Sequence, residues 1–174
     1  MPESDILLTV AEVAVAFAGF ASLVSILGRG TSADDPRVLS FRMRAMLLTS
    51  LLVVGFSLIP VILDSYGARP NLAWTASSIL LLLATLVYTR WLQQAIATLG
   101  RAGLTPSRLQ RRIIIPTLLI TLVVVSALLL ANSVVALPAI YLTALALLLF
   151  QSGFAFTLIV FSFLPRLDEN IDGR

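Results

Sequence analysis

Long apolar runs separated by short polar ones set the frame of this 174-residue chain. A hydrocarbon core about 30 Å thick, divided by a helical rise of about 1.5 Å per residue, calls for roughly 20 apolar residues per crossing. Runs of that order lie at 6–27, 45–63, 72–89, 113–131 and 139–164, and the one charged side chain inside them is Glu12. The pattern predicts an all-α fold, a polytopic transmembrane helix bundle with five membrane-spanning helices, making 1–174 a single integral membrane domain. Each piece between the runs is far shorter than the roughly 50 residues of a folded domain. No soluble domain is expected, and function must reside in the bundle.

Local punctuation refines the boundaries. Ser4 is suited to cap the first helix, with Asp5 in its first turn, and Gly28 and Gly30 are placed to end it. Ser40 can cap the second helix ahead of the membrane. The third is expected to outrun its apolar core to about Leu99, where Gly100 and Gly103 stop it. Thr105-Pro106 reads as an N-cap followed by a proline at the first helical position, starting the fourth helix below the headgroups. Pro138 can open the fifth helix and Pro165 close it. Two prolines fall inside spans: Pro116 removes a backbone bond to Arg112 and Pro60 one to Phe56, which a membrane helix tolerates when a neighbour satisfies the freed carbonyl.

The basic residues, 12 in all and every one an Arg, are unevenly shared among the loops. Alternate loops carry 11 against one, the exception being Arg69. By the positive-inside rule the Arg-rich loops are cytoplasmic, which puts the N-terminus outside and the C-terminus inside a cell or inner membrane. Glu12 weakens the first span by a few kcal/mol on insertion scales, so the alternative is four crossings plus one non-crossing N-terminal helix. Met1–Asp5 holds two acids and no basic side chain, unlike the start of a signal peptide, and the first segment is expected to be retained. Arg42, Arg44, Arg108, Arg111 and Arg112 are candidate contacts for anionic lipid headgroups, and nucleic acid is not an expected partner.

The chain has no His and no Cys. That removes thiolate and imidazole metal sites, disulfides, Ser-His-Asp triads, haem and iron–sulfur ligation. No cofactor or metal is expected. An intramembrane enzyme would need converging acids, bases or ligands that this composition does not supply.

Helix–helix contacts in lipid rest on close packing and hydrogen bonds, so polar and small residues mark working faces. Asp5, Glu12 and Gly19 recur at a spacing of seven on the first helix, with Thr9 and Ala16 on the same side. A second line of small residues, Ala11, Ala14, Ala18, Ala21 and Ser25, could seat another helix. Ser50, Ser57 and Asp64 form a face of the second helix, Ser78, Thr85 and Thr89 one of the third, beside Tyr88, and Tyr141 and Leu148 share a line on the fifth with Gln151, Ser152 and Ala155 nearby. The fourth is the most uniformly apolar and is expected to face lipid.

Glu12 lies several residues inside the first span, too deep for a short carboxylate to reach water. It must be neutral, paired or beside water, and its candidate partners are Arg69, Asn132 and Tyr141. Two readings stay open. In one, the protein is an oligomeric channel or transporter-like subunit passing a cation, proton or small solute, with Glu12, Gly19, Ser57, Asp64 and Gln151 as the pore candidates. In the other it is a non-catalytic scaffold or accessory protein whose helix faces hold another membrane protein or anionic lipid. Short-looped helices with small-residue lines on more than one face predict a homo-oligomer in either case.

Overall fold

The computed structural model describes residues 3–27, 36–101 and 115–161. Each element among them is an α-helix: α1 (Ser4–Leu27), α2 (Pro36–Ser65), α3 (Pro70–Arg101), α4 (Ile115–Val135) and α5 (Pro138–Phe161). The helices α2 to α5 are long and apolar enough to cross a membrane. The protein is an all-helical, membrane-embedded bundle.

Neighbours in the chain pack against one another, and α5 returns to α2, so that α2, α3, α4 and α5 close a four-helix ring. Successive helices run antiparallel. Thr49 on α2 meets Tyr88 on α3, Ser78 on α3 meets Asn132 on α4, and Ser50 on α2 meets Ser152 on α5. α1 stands outside this ring, packed against α2 and α5. Its start, at Leu7, joins the cluster of Val53 and Leu145, and Phe17 further along joins Met43, Met46 and Ile159. That pairing makes α1 antiparallel to α2 and parallel to α5.

The surface is what lipid demands of a bundle. Large apolar side chains point outward on every helix of the ring, among them Leu51, Val87, Val123 and Phe150. α4 buries the smallest share of its span, as its apolar sequence predicts. In hydrocarbon an exposed Val or Leu costs nothing, so the interior is selected by packing and hydrogen bonding instead.

Several boundaries move. α2 begins at Pro36 rather than at a Ser40 cap, because proline fits the first helical turn, where its missing N–H has no intrahelical acceptor to serve. α3 passes through Gly100 to Arg101, since one glycine in a last turn costs only about 1 kcal/mol. Pro116 is the second described residue of α4, and Arg112, whose carbonyl it would leave free, lies outside the described residues. Gly28, Gly30, Gly103, Thr105-Pro106 and Pro165 lie outside the described residues.

Two turns fix the end of the bundle where α2 meets α3 and α4 meets α5. After α2, Gly67 takes a left-handed φ of 74°. Its N–H donates to the Asp64 carbonyl at 2.9 Å and that of Ala68 to the Leu63 carbonyl at 3.1 Å, which satisfies two end carbonyls of the helix. After α4, the left-handed residue is Ala136, φ 55°, donating to the Asn132 carbonyl at 2.9 Å. The Asn132 side-chain oxygen accepts from the Leu137 N–H at 2.8 Å, and Pro138 then opens α5. The α4–α5 connection is thus a tight hairpin held by one asparagine.

Candidate functional site

Two polar tiers cross the interior of the ring, with an apolar layer between them. Hydroxyls and amides buried among apolar helices must find partners, and the tiers are where they do. The first tier lies near the α2–α3 and α4–α5 turns. There the Tyr141 hydroxyl donates to the Phe56 carbonyl at 2.7 Å, and the Trp74 ring meets the Tyr141 ring edge-on at a centroid distance of 5.7 Å. The Asn132 amide donates to Ser78 Oγ at 2.8 Å, and Ser78 donates to the Trp74 carbonyl. Ser57 and Ser77 are fully buried in the same region.

The second tier is about two turns deeper. Thr49 and Tyr88 are hydrogen-bonded through their hydroxyls at 2.9 Å, Thr49 lies 2.8 Å from the Ala45 carbonyl, and Gln151 approaches the Tyr88 hydroxyl. Ser50 and Ser152 are 2.7 Å apart. Thr85 is fully buried one turn before Tyr88. Between the tiers Val53, Leu81, Leu129 and Leu145 are all fully buried and pack into one cluster. Below the second tier, Phe41, Trp91 and Tyr88 stack in sequence with centroids near 6 Å apart (6.0 and 5.9 Å).

α1 presents a different face from the one that its carboxylate invites. Leu7, Ala11 and Ala14 are buried against the ring, and Ala18 is half-buried. Asp5, Thr9, Glu12, Ala16 and Gly19 all point outward. Gly153 on α5 seats α1, and a Cβ there would stand 3.2 Å from Phe17 Cζ. That contact also gives a depth. Five residues before Phe17 in a parallel helix, Glu12 lies near the level of Leu148, about 15 Å from the start of α5. Nothing lies within 4 Å of a Cβ built at Gly19, so this face is open to close approach.

The sequence-predicted site residues are therefore divided. Glu12 and Gly19 share the outer face of α1, Ser57 and Gln151 lie inside the ring in different tiers, and Asp64 is half-buried at the end of α2. Among the described residues Glu12 makes no hydrogen bond or ion pair. Arg69 is exposed at the α2–α3 turn, while Asn132 and Tyr141 are committed to Ser78, Leu137 and Phe56 inside the ring. Of the candidate headgroup contacts, Arg42 is half-buried and Arg44 exposed near the start of α2; Arg108, Arg111 and Arg112 lie outside the described residues. Spacing alone does not mark Thr49 and Ser77, although each adjoins a residue that it does mark, and a polar doublet on one helix is the signal that identifies them. No group of three or more acidic side chains able to hold a metal occurs among the described residues.

Comparison with protein-family models, with curated proteins and with solved structures yields no match.

Proposed function

We propose that the protein is a subunit of a membrane assembly, with α1 as its contact helix and Glu12 as the polar site at the contact, where copies of the chain together pass a cation or a proton. The observation that carries the reading is the outward position of Glu12 near mid-depth. A carboxylate facing hydrocarbon is expensive in either protonation state, and intramembrane ionisable residues normally face a bundle interior or water. Within one chain Glu12 faces neither. A second copy laid against Thr9, Glu12, Ala16 and Gly19 would cover it, and the small residues on that line permit the close backbone approach that membrane helices use.

In this arrangement α1 crosses the membrane alongside α2 and α5, giving five crossings with the N-terminus outside and the Arg-rich connections inside. A ring of carboxylates favours cations, and a protonated acid can exchange its proton when its surroundings change. The four-helix ring serves as the rigid frame, and anionic lipid meets its Arg-bearing end.

The buried layer of Val53, Leu81, Leu129 and Leu145 favours a second reading, in which the assembly conducts nothing and α1 holds a partner membrane protein. Flux measurements on purified protein in liposomes separate the two. Passage predicts cation or proton uptake that falls in Glu12→Gln while assembly survives, because Gln keeps the volume and hydrogen-bonding capacity and deletes the charge. Absence of flux across a broad range of pH, cations and voltage supports the scaffold.

A further inference from the structure

We infer that the second polar tier is a binding site for water, held inside the ring by Gln151 and Thr85 beside the Tyr88 hydroxyl. The first observation is a contrast among hydroxyls. Thr9, Ser22, Ser65, Ser78, Thr89, Thr98, Thr121, Ser126, Thr143 and Thr157 each donate to the carbonyl four residues earlier in their own helix. This back-bond is the ordinary way in which a hydroxyl is satisfied in a membrane helix. Thr85 does not make it, although the Leu81 carbonyl is in the right place in sequence. Its Oγ1 is fully buried and has no partner among the described groups.

The second observation is Gln151. It is 4% exposed, and its Oε1 accepts no hydrogen bond from a described group. Gln151 reaches the Tyr88 hydroxyl from α5, and Thr85 lies one turn before Tyr88 on α3, so both orphaned groups belong to the same tier. Leaving such a group dry forfeits the hydrogen bonds that it makes in water. Buried polar atoms without a protein partner are characteristically served by ordered water.

The chemistry fixes the class of guest. Gln151 Oε1 can only accept, so the guest must donate. Thr85 can donate or accept, and Tyr88 and Thr49 offer further lone pairs. Every polar residue of the tier is neutral, so an ion here would be an uncompensated buried charge. Apolar side chains flank the tier, Val53, Leu81, Leu129 and Leu145 on one side and Phe41 and Trp91 on the other, so a guest's polar partners are those of the tier alone, the two to four that one water uses.

Water-edited solid-state NMR on the full chain in lipid bilayers tests this directly. With side-chain amides labelled, magnetisation from water should reach the Gln151 amide on a timescale within a few-fold of that for exposed Gln94, and Thr85→Val should reduce the transfer at least twofold. The same variant should lower the midpoint of thermal unfolding, because it strips a partner from bound water. Absence of transfer to Gln151 while Gln94 shows it overturns the site. So does a raised midpoint in Thr85→Val, the result expected when an orphaned hydroxyl is removed from a dry interior.

Discussion

The Tyr141 hydroxyl donates at 2.7 Å to the carbonyl of Phe56, the acceptor that Pro60 leaves free. Proline has no N–H to give the residue four positions earlier, and in hydrocarbon no water replaces it. A side chain 85 positions further along the chain does so. Pro60 is itself buried, and the Trp74 ring holds Tyr141 in place from α3, so the break in α2 is sealed from two neighbouring helices.

Tyr141→Phe should destabilise the bundle by about 1–3 kcal/mol, the cost of an unsatisfied buried carbonyl. In a Pro60→Ala background, where the substituted residue regains an N–H that can donate to the Phe56 carbonyl, the same change should cost much less. Reversible unfolding of the four proteins in one bilayer mimetic gives the coupling. Equal costs in both backgrounds would show that Tyr141 acts through packing alone.

The α4–α5 hairpin predicts two changes of opposite sign. Ala136 bears a left-handed φ that costs an L-residue with a Cβ about 1–2 kcal/mol, so Ala136→Gly should raise stability by a good part of that. Asn132→Leu strands the Leu137 N–H and removes the donor to Ser78 Oγ, which keeps its own bond to the Trp74 carbonyl, and should lower stability by about 1–3 kcal/mol. Thermal unfolding of both variants checks the pair.

Much of this was legible in the chain. Helix number and type followed from apolar run length, the long α3 from its unbroken Arg90–Leu99 continuation, and the need for a donor at Phe56 from the position of Pro60. The identity of that donor was not, because nothing local links Phe56 to Tyr141. The packing face of α1 was not either. Its two lines, Asp5/Glu12/Gly19 and Ala11/Ala14/Ala18, have equally good helical spacing, and in lipid hydrophobicity does not say which faces in. Shape decides: the line that packs is the one that fits the groove of α2 and α5, with Phe17 over Gly153.

That seat can be tested by size. Gly153→Ala should be absorbed by a few tenths of an ångström of movement at the Phe17 ring, whereas Gly153→Val should cost about 1–3 kcal/mol through overpacking. Phe17→Leu should recover part of the loss. If α1 were not docked there, Gly153→Val would match the wild type in thermal unfolding.

Orientation is open to labelling, since the chain has no native Cys. Single Cys residues replacing Asp5 or Arg69 should react with an impermeant maleimide from outside intact cells. Those replacing Asp34 or Ser107 should react only after permeabilisation. Asp5→Cys labelling only from the inside would mean that α1 does not cross.

The most direct measurement of the central claim is crosslinking through α1 in bilayers at a high lipid-to-protein ratio. Ala16→Cys, on the outward line with Glu12, should form disulfide dimers on mild oxidation, and Ala14→Cys, buried against the ring, should not. Monomer alone for Ala16→Cys and Thr9→Cys, or equal crosslinking of Ala14→Cys, would contradict the assignment of α1 as the contact helix.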